Sequence, residues 1–349
     1  MKPPARGLNL LVIVVTSVLL PSCKGDSPNP FADLTPTVAP RPDAEILFTA
    51  NIHGTRSGAP RELFAVAGDG SGLTRLTHRN DGARPHDVVE AAPAPDRIKV
   101  AVREVTDSSG DNRIGPGDDE SIVLLDLARS VEAELVAASR RPSSVDWSSD
   151  GSLLIYSGLG AGSIEDMLIV DPTGKDEQAL TTTPLVRERR PRLAVGGGAA
   201  IYERIEAGGK GVIAVYRGAT QFALTTGGPG TEQLPGTPYV LGSDADPVFS
   251  PDVRLATFRR LTGTGNGGLG TWDLLTVRPD GTSPTIVATG PLYRGAPDWG
   301  PRGIVFTEAD SAQGVTRLVV VQPDGSERKV LVTASSNLTI TNPRWLPQP

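Results

Sequence analysis

The densest cluster of potential cation ligands in the sequence is an acidic, glycine-rich stretch at residues 107–118. Side-chain oxygens occupy its first, third, fifth and twelfth positions, and a backbone carbonyl is available at the seventh. That spacing surrounds a hard cation such as Ca²⁺. The predicted ligands are Asp107, Ser109, Asp111, Arg113 (through its backbone carbonyl) and Asp118.

This stretch resembles the calcium loop of EF-hand and dockerin repeats, although we expect no helices beside it. The sixth position of such a loop needs a positive φ, and Asn112, which stands there, tolerates that conformation. Ca²⁺ is therefore the one cofactor that the sequence suggests. The alternative is a solvated acidic loop, in which crowded like charges hold no cation.

Other motifs that carry chemistry are absent or misplaced. Residues 263–268 match GxGxxG, but an alternating strand pattern follows at Thr271–Val277, where a dinucleotide site needs a helix. No serine has glycine two places before and two places after it, so the nucleophile elbow of the α/β-hydrolases is missing. The three histidines lie apart in sequence: His53, His78 and His86. We expect no organic cofactor and no catalytic residues.

Composition excludes several further classes of protein and site. The chain has 34 basic and 40 acidic residues, a net charge of −6, and therefore lacks the basic excess that binds nucleic acid. Its 40 glycines and 31 prolines among 349 residues make long helices improbable. A single cysteine excludes a disulfide framework and a cysteine-rich metal site.

The first 22 residues have the features of an export signal. Lys2 and Arg6 precede an apolar run at Leu8–Leu20, which is short for a membrane span. The sequence Leu-Pro-Ser-Cys that ends at Cys23 resembles the bacterial lipobox, so we expect this cysteine to be acylated and to anchor the protein in a membrane. An ordinary secretory signal with an incidental cysteine is the alternative.

Residues 23–42 contain five prolines and little apolar periodicity, which predicts an extended tether. Lys24 follows the cysteine, and in lipoproteins of enveloped bacteria this resembles outer-membrane sorting. We therefore expect an exported, lipid-anchored protein, which faces either the periplasm or the cell surface.

The remainder of the chain repeats a short pattern six times. A small residue or proline precedes an aromatic or apolar residue, and turn residues such as Ser-Pro-Asp follow. The central positions lie 46 to 56 residues apart. They are Pro93, Trp147, Leu193, Phe249, Trp299 and Trp345.

Each repeat continues with three β-rich runs separated by turns. The last turn has proline at its first corner and glycine near its end, as in Pro-Asp-Gly at 279–281 and 323–325. Four short strands per unit are typical of a propeller blade. The N-terminal strand at Ile46–Thr49 lacks its opening pattern, and the C-terminal pattern around Trp345 lacks its blade. We therefore predict an all-β protein with a single six-bladed β-propeller, closed by pairing of the two ends.

This pattern resembles the TolB-type propeller repeat and covers residues 43–349. The resemblance implies a periplasmic or surface scaffold for contact with a protein or small ligand. Only the leader and tether precede Ile46, so we expect no counterpart of the N-terminal α/β domain of TolB. Partnership with the TolB transport machinery therefore does not carry over.

The functional prediction is a non-catalytic, membrane-anchored propeller scaffold that binds an envelope protein or a small ligand. A propeller enzyme of the lyase or hydrolase type, with its active site at the mouth of the central channel, is the alternative. Carboxylates, arginine and histidine converging on that mouth would favour the enzyme, and an apolar rim would favour a protein partner. The repeated tryptophans are interpreted as packing between blades.

Overall fold

Six antiparallel sheets, arranged as the blades of a propeller, make up the structure. It is a computed structural model that describes residues 29–31, 34–37, 40, 43–52, 60–79, 85–115, 117–129, 131–160, 162–206, 208–265, 268–335 and 337–348. These residues contain no α-helix, and a single 3₁₀ turn lies at Ala138–Arg140. None of their helical segments is long and apolar enough to cross a membrane.

The strands are numbered in chain order, and those of each blade run from the channel outward. Blade 1 contains β25 (Ile340–Trp345), β1 (Ile46–Asn51), β2 (Arg61–Val66) and β3 (Thr74–Arg75). Blade 2 contains β4 (His86–Pro93), β5 (Lys99–Thr106), β6 (Asp119–Asp126) and β7 (Val131–Val136). Blade 3 contains β8 (Ser144–Trp147), β9 (Leu154–Leu159), β10 (Glu165–Val170) and β11 (Gln178–Ala179).

Blade 4 contains β12 (Arg187–Leu193), β13 (Ala199–Ile205), β14 (Gly211–Arg217) and β15 (Thr220–Ala223). Blade 5 contains β16 (Asp244–Phe249), β17 (Ala256–Gly263), β18 (Thr271–Val277) and β19 (Thr285–Ala288). In blade 6 the innermost strand is in two pieces, β20 (Tyr293–Arg294) and β21 (Asp298–Gly300), which both pair with β22 (Gly303–Asp310). The outer strands of that blade are β23 (Val315–Val321) and β24 (Lys329–Ser335).

The two ends of the chain close the ring, as the sequence predicts. Strand β25 pairs antiparallel with β1, so that Ile46 lies opposite Trp345 and Ala50 lies opposite Ile340. The C-terminal strand is thereby the innermost strand of the first blade. Pairing of this kind satisfies two sheet edges that would otherwise be exposed.

The repeated turn glycines have a second role, at the contact between blades. Gly281 has a φ of +80°, and a Cβ built on it would lie 2.6 Å from the carbonyl oxygen of Leu224 in blade 4. Gly325 repeats this geometry against Val287 of blade 5, at 2.7 Å. Glycine is therefore needed both for the positive φ of the turn and for close approach to the preceding blade.

Apolar residues fill the space between neighbouring blades, and the largest such cluster lies between blades 1 and 6. Part of the proline-rich segment belongs to it. The Phe31 side chain is fully buried, and its ring lies 4.9 Å from that of Phe64 and 6.1 Å from that of Phe48, measured between centroids. Asn29 donates to the carbonyl of Ile52 (3.0 Å). The described part of the predicted tether is thus packed on the propeller.

Candidate functional site

The six repeated residues form a ring at one end of the channel. Each lies at or next to the carboxyl end of an innermost strand, and we call this end of the propeller the mouth. Together they line a cavity of about 360 Å³. The ring consists of Pro93, Trp147, Leu193, Phe249, Trp299 and Trp345. Trp147 and Trp345 are only 8% and 7% exposed. These two side chains therefore pack inside the propeller, as predicted, and also form part of the cavity wall.

Three exposed apolar side chains lie in turns at the same end of the propeller. Ile98, Leu153 and Val195 occupy the turns that follow the innermost strands of blades 2, 3 and 4, and they are 44%, 37% and 60% exposed. We call these three residues the rim. Of the three, Val195 lines the cavity. Apolar side chains exposed beside a cavity are typical of a surface that binds a partner.

The floor of the cavity carries charge. It is built on the residue before each ring residue, and around the ring these positions run small, acidic, arginine, twice over. They are Ala92, Asp146, Arg192, Val248, Asp298 and Arg344. The four charged members all line the cavity.

Ion pairs join these four residues into one network. Arg192 Nη2 donates to Asp298 Oδ1 at 2.6 Å, which links blade 4 to blade 6 across the channel. Arg192 Nε lies 3.3 Å from Asp146 Oδ2, and Arg344 Nη1 lies 3.9 Å from Asp298 Oδ1. Backbone amides also donate hydrogen bonds to these carboxylates: Leu193 N donates to Asp146 (2.9 Å) and Trp345 N donates to Asp298 (2.7 Å).

Burial sets the electrostatics of the floor. It raises the pKa of Asp298, and the opposing attraction of Arg192 offsets only part of that effect. Burial alone would lower the pKa of Arg192, but the neighbouring carboxylates of Asp146 and Asp298 raise it above its usual value. Arg192 is therefore a permanent cation held between two acids.

Below the floor the channel narrows to a space of about 20 Å³, which is the volume that a single water needs. Arg190 Nη1 lies 2.6 Å from Asp246 Oδ1 there, and Arg259 pairs with the same carboxylate. Burial would raise the pKa of Asp246, but these two arginines lower it. The charged layers thus narrow the channel below the mouth cavity.

The floor meets one of the criteria expected for an enzyme, because carboxylates and arginines converge there. Both floor carboxylates are engaged by arginine and by backbone amides. Neither described histidine, His78 or His86, lines the cavity. Ser148, at the cavity wall, donates to Asp150 (2.7 Å) and accepts from Leu153 N. The hydrogen bonds and ion pairs of these side chains are therefore made within the fold.

The structure gives the predicted calcium loop a different set of partners. The Asp107 carboxylate is buried and accepts from Ser109 Oγ (3.0 Å), Gly110 N (2.7 Å) and Asn112 N (2.8 Å). Burial raises the pKa of Asp107, but these hydrogen bonds lower it by more.

The other acids of this loop also face backbone amides. Asp118 accepts from Gly115 N (2.8 Å), and Asp111 accepts from Arg113 N (2.9 Å). Asn112 has the expected positive φ, 60°. Within the described ranges, no three acidic, histidine or cysteine side chains are arranged to hold a metal ion. The calcium assignment therefore stays a prediction.

The predicted leader lies outside the described ranges, and so do two residues considered for chemistry. They are Cys23, the predicted lipidation site, and His53. The stretch that matches GxGxxG is described only in part, and strand β18 follows it, as the alternating pattern predicts.

No protein-family model matches this chain, and no curated protein does. Solved structures do. TolB from Acinetobacter baumannii is 17% identical over 87% of this chain and 67% of its own, with a TM-score of 0.64. A putative TolB from Agrobacterium tumefaciens is 14% identical over 87% of this chain and 99% of its own, with a TM-score of 0.57. The fold is that of the TolB-type six-bladed propeller.

Enzymes share this architecture. An oligogalacturonate lyase in complex with manganese is 11% identical over 82% of this chain and 73% of its own, with a TM-score of 0.50. Identities this low relate the folds and not the activities. The function of this TolB-type propeller must therefore be argued from its mouth.

Proposed function

We propose that this protein is a non-catalytic binding scaffold of the cell envelope. It is anchored in a membrane through lipid on Cys23, and it holds an apolar segment of a protein partner, or a small ligand, in the mouth cavity. One observation supports the proposal: the apolar ring and the rim residue Val195 line a cavity whose floor acids are paired with arginine.

The packing of Phe31 supports a defined orientation for the anchored protein. Strand β1 runs from the mouth, at Ile46, to the opposite end, at Asn51, and Asn29 is bonded to Ile52 there. Six residues of strand span about 20 Å, so Asn29 lies far from the mouth. The six residue steps from Cys23 to Asn29 reach at most about 21 Å. The mouth of an anchored protein therefore faces away from the bilayer.

The rim gives the first test of binding. Leu153→Lys/Val195→Lys places two charges on the rim, where both side chains are exposed and their loss costs little stability. We expect the tagged variant, purified from solubilised envelopes, to lose the partner that the wild type retains. Leu185→Lys is the matched control, because Leu185 is 83% exposed and precedes β12 at the opposite end. Equal retention by both variants would contradict the proposal.

Anchoring is tested separately. Cys23→Ala should abolish labelling by radioactive fatty acid and move the protein from the membrane fraction to the soluble fraction. Unchanged membrane retention in that variant would refute the lipid anchor while leaving the mouth site untouched.

A further inference from the structure

The end of the propeller opposite the mouth carries two exposed leucines. We call this end the base, and it is formed where the innermost strands begin and where the second strand of each blade turns into the third. Leu185 is 83% exposed in the turn before β12, and the adjacent Pro184 is exposed as well. Leu269 is 51% exposed in the turn before β18. Both leucine side chains are thus turned toward solvent at the same end of the molecule.

Hydrogen bonds hold the chain beside both leucines. The carbonyl of Leu269 accepts from Nε1 of Trp272 at 3.0 Å, and the Trp272 side chain is buried. Beyond Leu185, Arg187 Nε donates to Glu165 Oε2 at 2.7 Å, at the start of β12. Leu185 itself has a φ of +66°, which is unfavourable for a bulky side chain. The fold thus holds a leucine outward at a position where glycine or asparagine would be less strained.

The loops around these leucines carry few charges, and those charges have partners. Lys210 donates to three backbone carbonyls at 2.7–3.0 Å, and Glu206 pairs with Arg204 at 3.2 Å. Glu232 accepts from the hydroxyl of Thr264 at 2.7 Å. These three are the charged residues of the segments that connect strands at the base from the entry of blade 4 to the exit of blade 5, namely 180–186, 206–210, 224–243, 264–270 and 289–292. Contact of this side with an apolar medium would therefore remove little free charge from water.

Charge at the base is concentrated on the other side of the ring. The acidic loop at residues 107–118 connects β5 and β6 of blade 2, which lies opposite blade 5 in a ring of six blades. It contains three aspartates and one arginine, and the whole chain has a net charge of −6. An anionic surface would therefore not attract the base. The leucines suit a surface that is apolar beneath a layer without net charge.

The position of the tether identifies that surface. Under the proposed function Cys23 carries lipid in a membrane, and Asn29 donates to the carbonyl of Ile52 at the base of blade 1. The chain between Cys23 and Asn29 reaches at most about 21 Å, so the base stays close to the bilayer. The tether on blade 1, Leu185 at the entry to blade 4 and Leu269 on blade 5 are three separate points around the ring. Three such points define a plane.

We propose that the base of the propeller rests on the membrane, with Leu185 and Leu269 inserted into the boundary between headgroups and acyl chains. The burial of apolar side chains drives this contact, which therefore needs no anionic lipid. It fixes the orientation of the propeller on the bilayer. The inference rests on the proposed function, because lipid on Cys23 supplies the first of the three contacts.

The test locates labelled positions relative to the bilayer. The chain has a single cysteine, which carries the lipid, so each of Leu185→Cys, Leu269→Cys and Val195→Cys adds one free thiol for a nitrobenzoxadiazole label. Lipidated full-length protein is reconstituted in phosphatidylcholine vesicles that contain phosphatidylcholine with a nitroxide near the top of its acyl chain. We expect this nitroxide to quench the labels at positions 185 and 269 at least about threefold more than the label at position 195, as insertion to a depth of about 5–10 Å implies. Added phosphatidylglycerol should not increase the quenching.

A second arm tests the role of the leucine side chain. Leu185→Lys, combined with the label at position 269, should lower quenching of that label, because a charged side chain opposes insertion of the base. Val195→Lys, at the mouth, is the matched control and should leave it unchanged.

The inference is overturned if the labels at positions 185 and 269 are quenched no more than the label at position 195. Quenching that needs anionic lipid, or that Leu185→Lys leaves unchanged at position 269, would also overturn it. Flotation of the same samples separates this contact from the anchor. Protein that does not float with the vesicles refutes the lipid anchor and with it the contact, whereas floating protein with unquenched labels refutes the contact alone. The rim variants test binding at the mouth without vesicles.

Discussion

Buried side-chain atoms without a hydrogen-bond partner occur both at the mouth and between blades 3 and 4, but the two sets differ. Among the described residues that line the mouth cavity they are all donors. Between blades 3 and 4 they include two carboxylate oxygens, Asp166 Oδ1 and Glu188 Oε2, beside one donor, Arg204 Nε. Asp166 and Glu188 are 4% and 0% exposed, and neither lines the mouth cavity or the narrow space below it.

The equivalent positions of blades 1 and 5 show that the region between blades 3 and 4 lacks arginine partners for its acids. In blade 1, Glu62 holds the position of Asp166 and is paired with Arg75 at 3.2 Å. Ala179 replaces that arginine in blade 3. In blade 5, Asp244 holds the position of Glu188, and Arg260 donates two hydrogen bonds to it, of 2.6 and 2.8 Å.

The corresponding arginine of blade 4, Arg204, instead pairs with Glu206 at 3.2 Å. Burial raises the pKa of both Asp166 and Glu188, and the hydrogen bonds that they accept offset only part of the rise, as does the attraction of Arg204 for Glu188. The two carboxylates enclosed between blades 3 and 4 thus lack the hydrogen-bonded arginine that their counterparts have in blades 1 and 5.

Removing one acid from each region should separate the two regions most clearly. Asp298→Ala leaves Arg192 without its closest carboxylate and Trp345 N without its acceptor. We expect a loss of about 3–5 kcal/mol in the free energy of unfolding, as for other broken buried ion pairs. Asp166→Ala removes an acid with no cationic partner and should change stability by less than about 1 kcal/mol. Urea denaturation of both variants decides, and similar losses would invalidate the contrast.

Supplying the missing cation should repair the second region. Ala179→Arg introduces at an exposed position the arginine that Arg75 provides in blade 1. We expect a gain of about 1 kcal/mol at neutral pH, since the new guanidinium bonds a carboxylate that lacks one. Gln178→Arg, at the adjacent exposed position, is the control and should give no gain. A stability unchanged in Ala179→Arg would show that Asp166 needs no cation.

The pH dependence of stability reports proton uptake by the enclosed acids directly. Because the folded-state pKa of Glu188 lies above its unfolded value of about 4.3, the folded state binds more protons above that pH. The free energy of unfolding therefore falls as the pH rises through this window. Glu188→Gln cannot take up this proton, so its free energy of unfolding should not show this decrease. Relative to the wild type, the free energy of unfolding of the variant should therefore rise by up to about 1 kcal/mol between pH 4 and pH 7.5. Parallel pH curves for the two proteins would show that Glu188 takes up no proton on folding.

Much of the mouth could have been predicted from the sequence. The six ring residues were found by their spacing, and the residue before each of them carries the floor. The patterns Val-Asp-Trp, Pro-Arg-Leu, Pro-Asp-Trp and Pro-Arg-Trp at residues 145–147, 191–193, 297–299 and 343–345 contain this signal. The spacing of the ring residues alone does not reveal the floor, because its charge lies at the neighbouring, channel-facing position of each strand.

Other features depend on tertiary contacts that no local pattern reveals. Phe31 is an isolated aromatic in a proline-rich segment, and its burial requires the gap between blades 1 and 6. The deficit around Glu188 arises because Arg204 turns toward Glu206, and the sequence alone does not determine that rotamer. The position of the Trp345 indole depends on Gly300, which is distant in sequence but lies against the indole from the neighbouring blade 6.

In the acidic loop at residues 107–118, backbone amides already donate hydrogen bonds to the carboxylates. Ca²⁺ would have to displace those hydrogen bonds, so we expect weak binding, in the range of about 10⁻⁴–10⁻³ M. Calorimetric titration of metal-free protein should give heat that Asp107→Ala/Asp111→Ala lacks. Equal heats from both proteins, or none from either, would reject the site and leave a solvated loop.

If the mouth is the surface that the protein uses, a partner must lie beside it in the cell. The most direct measurement places p-benzoylphenylalanine at Val195 on the rim or at Leu185 at the opposite end, followed by irradiation of intact cells. Both positions are apolar and well exposed, so a crosslink reports what lies beside each. We predict a discrete product from Val195 whose partner contributes an apolar segment, and none from Leu185. Products from Leu185 alone, or the same products from both positions, would contradict a binding role for the mouth.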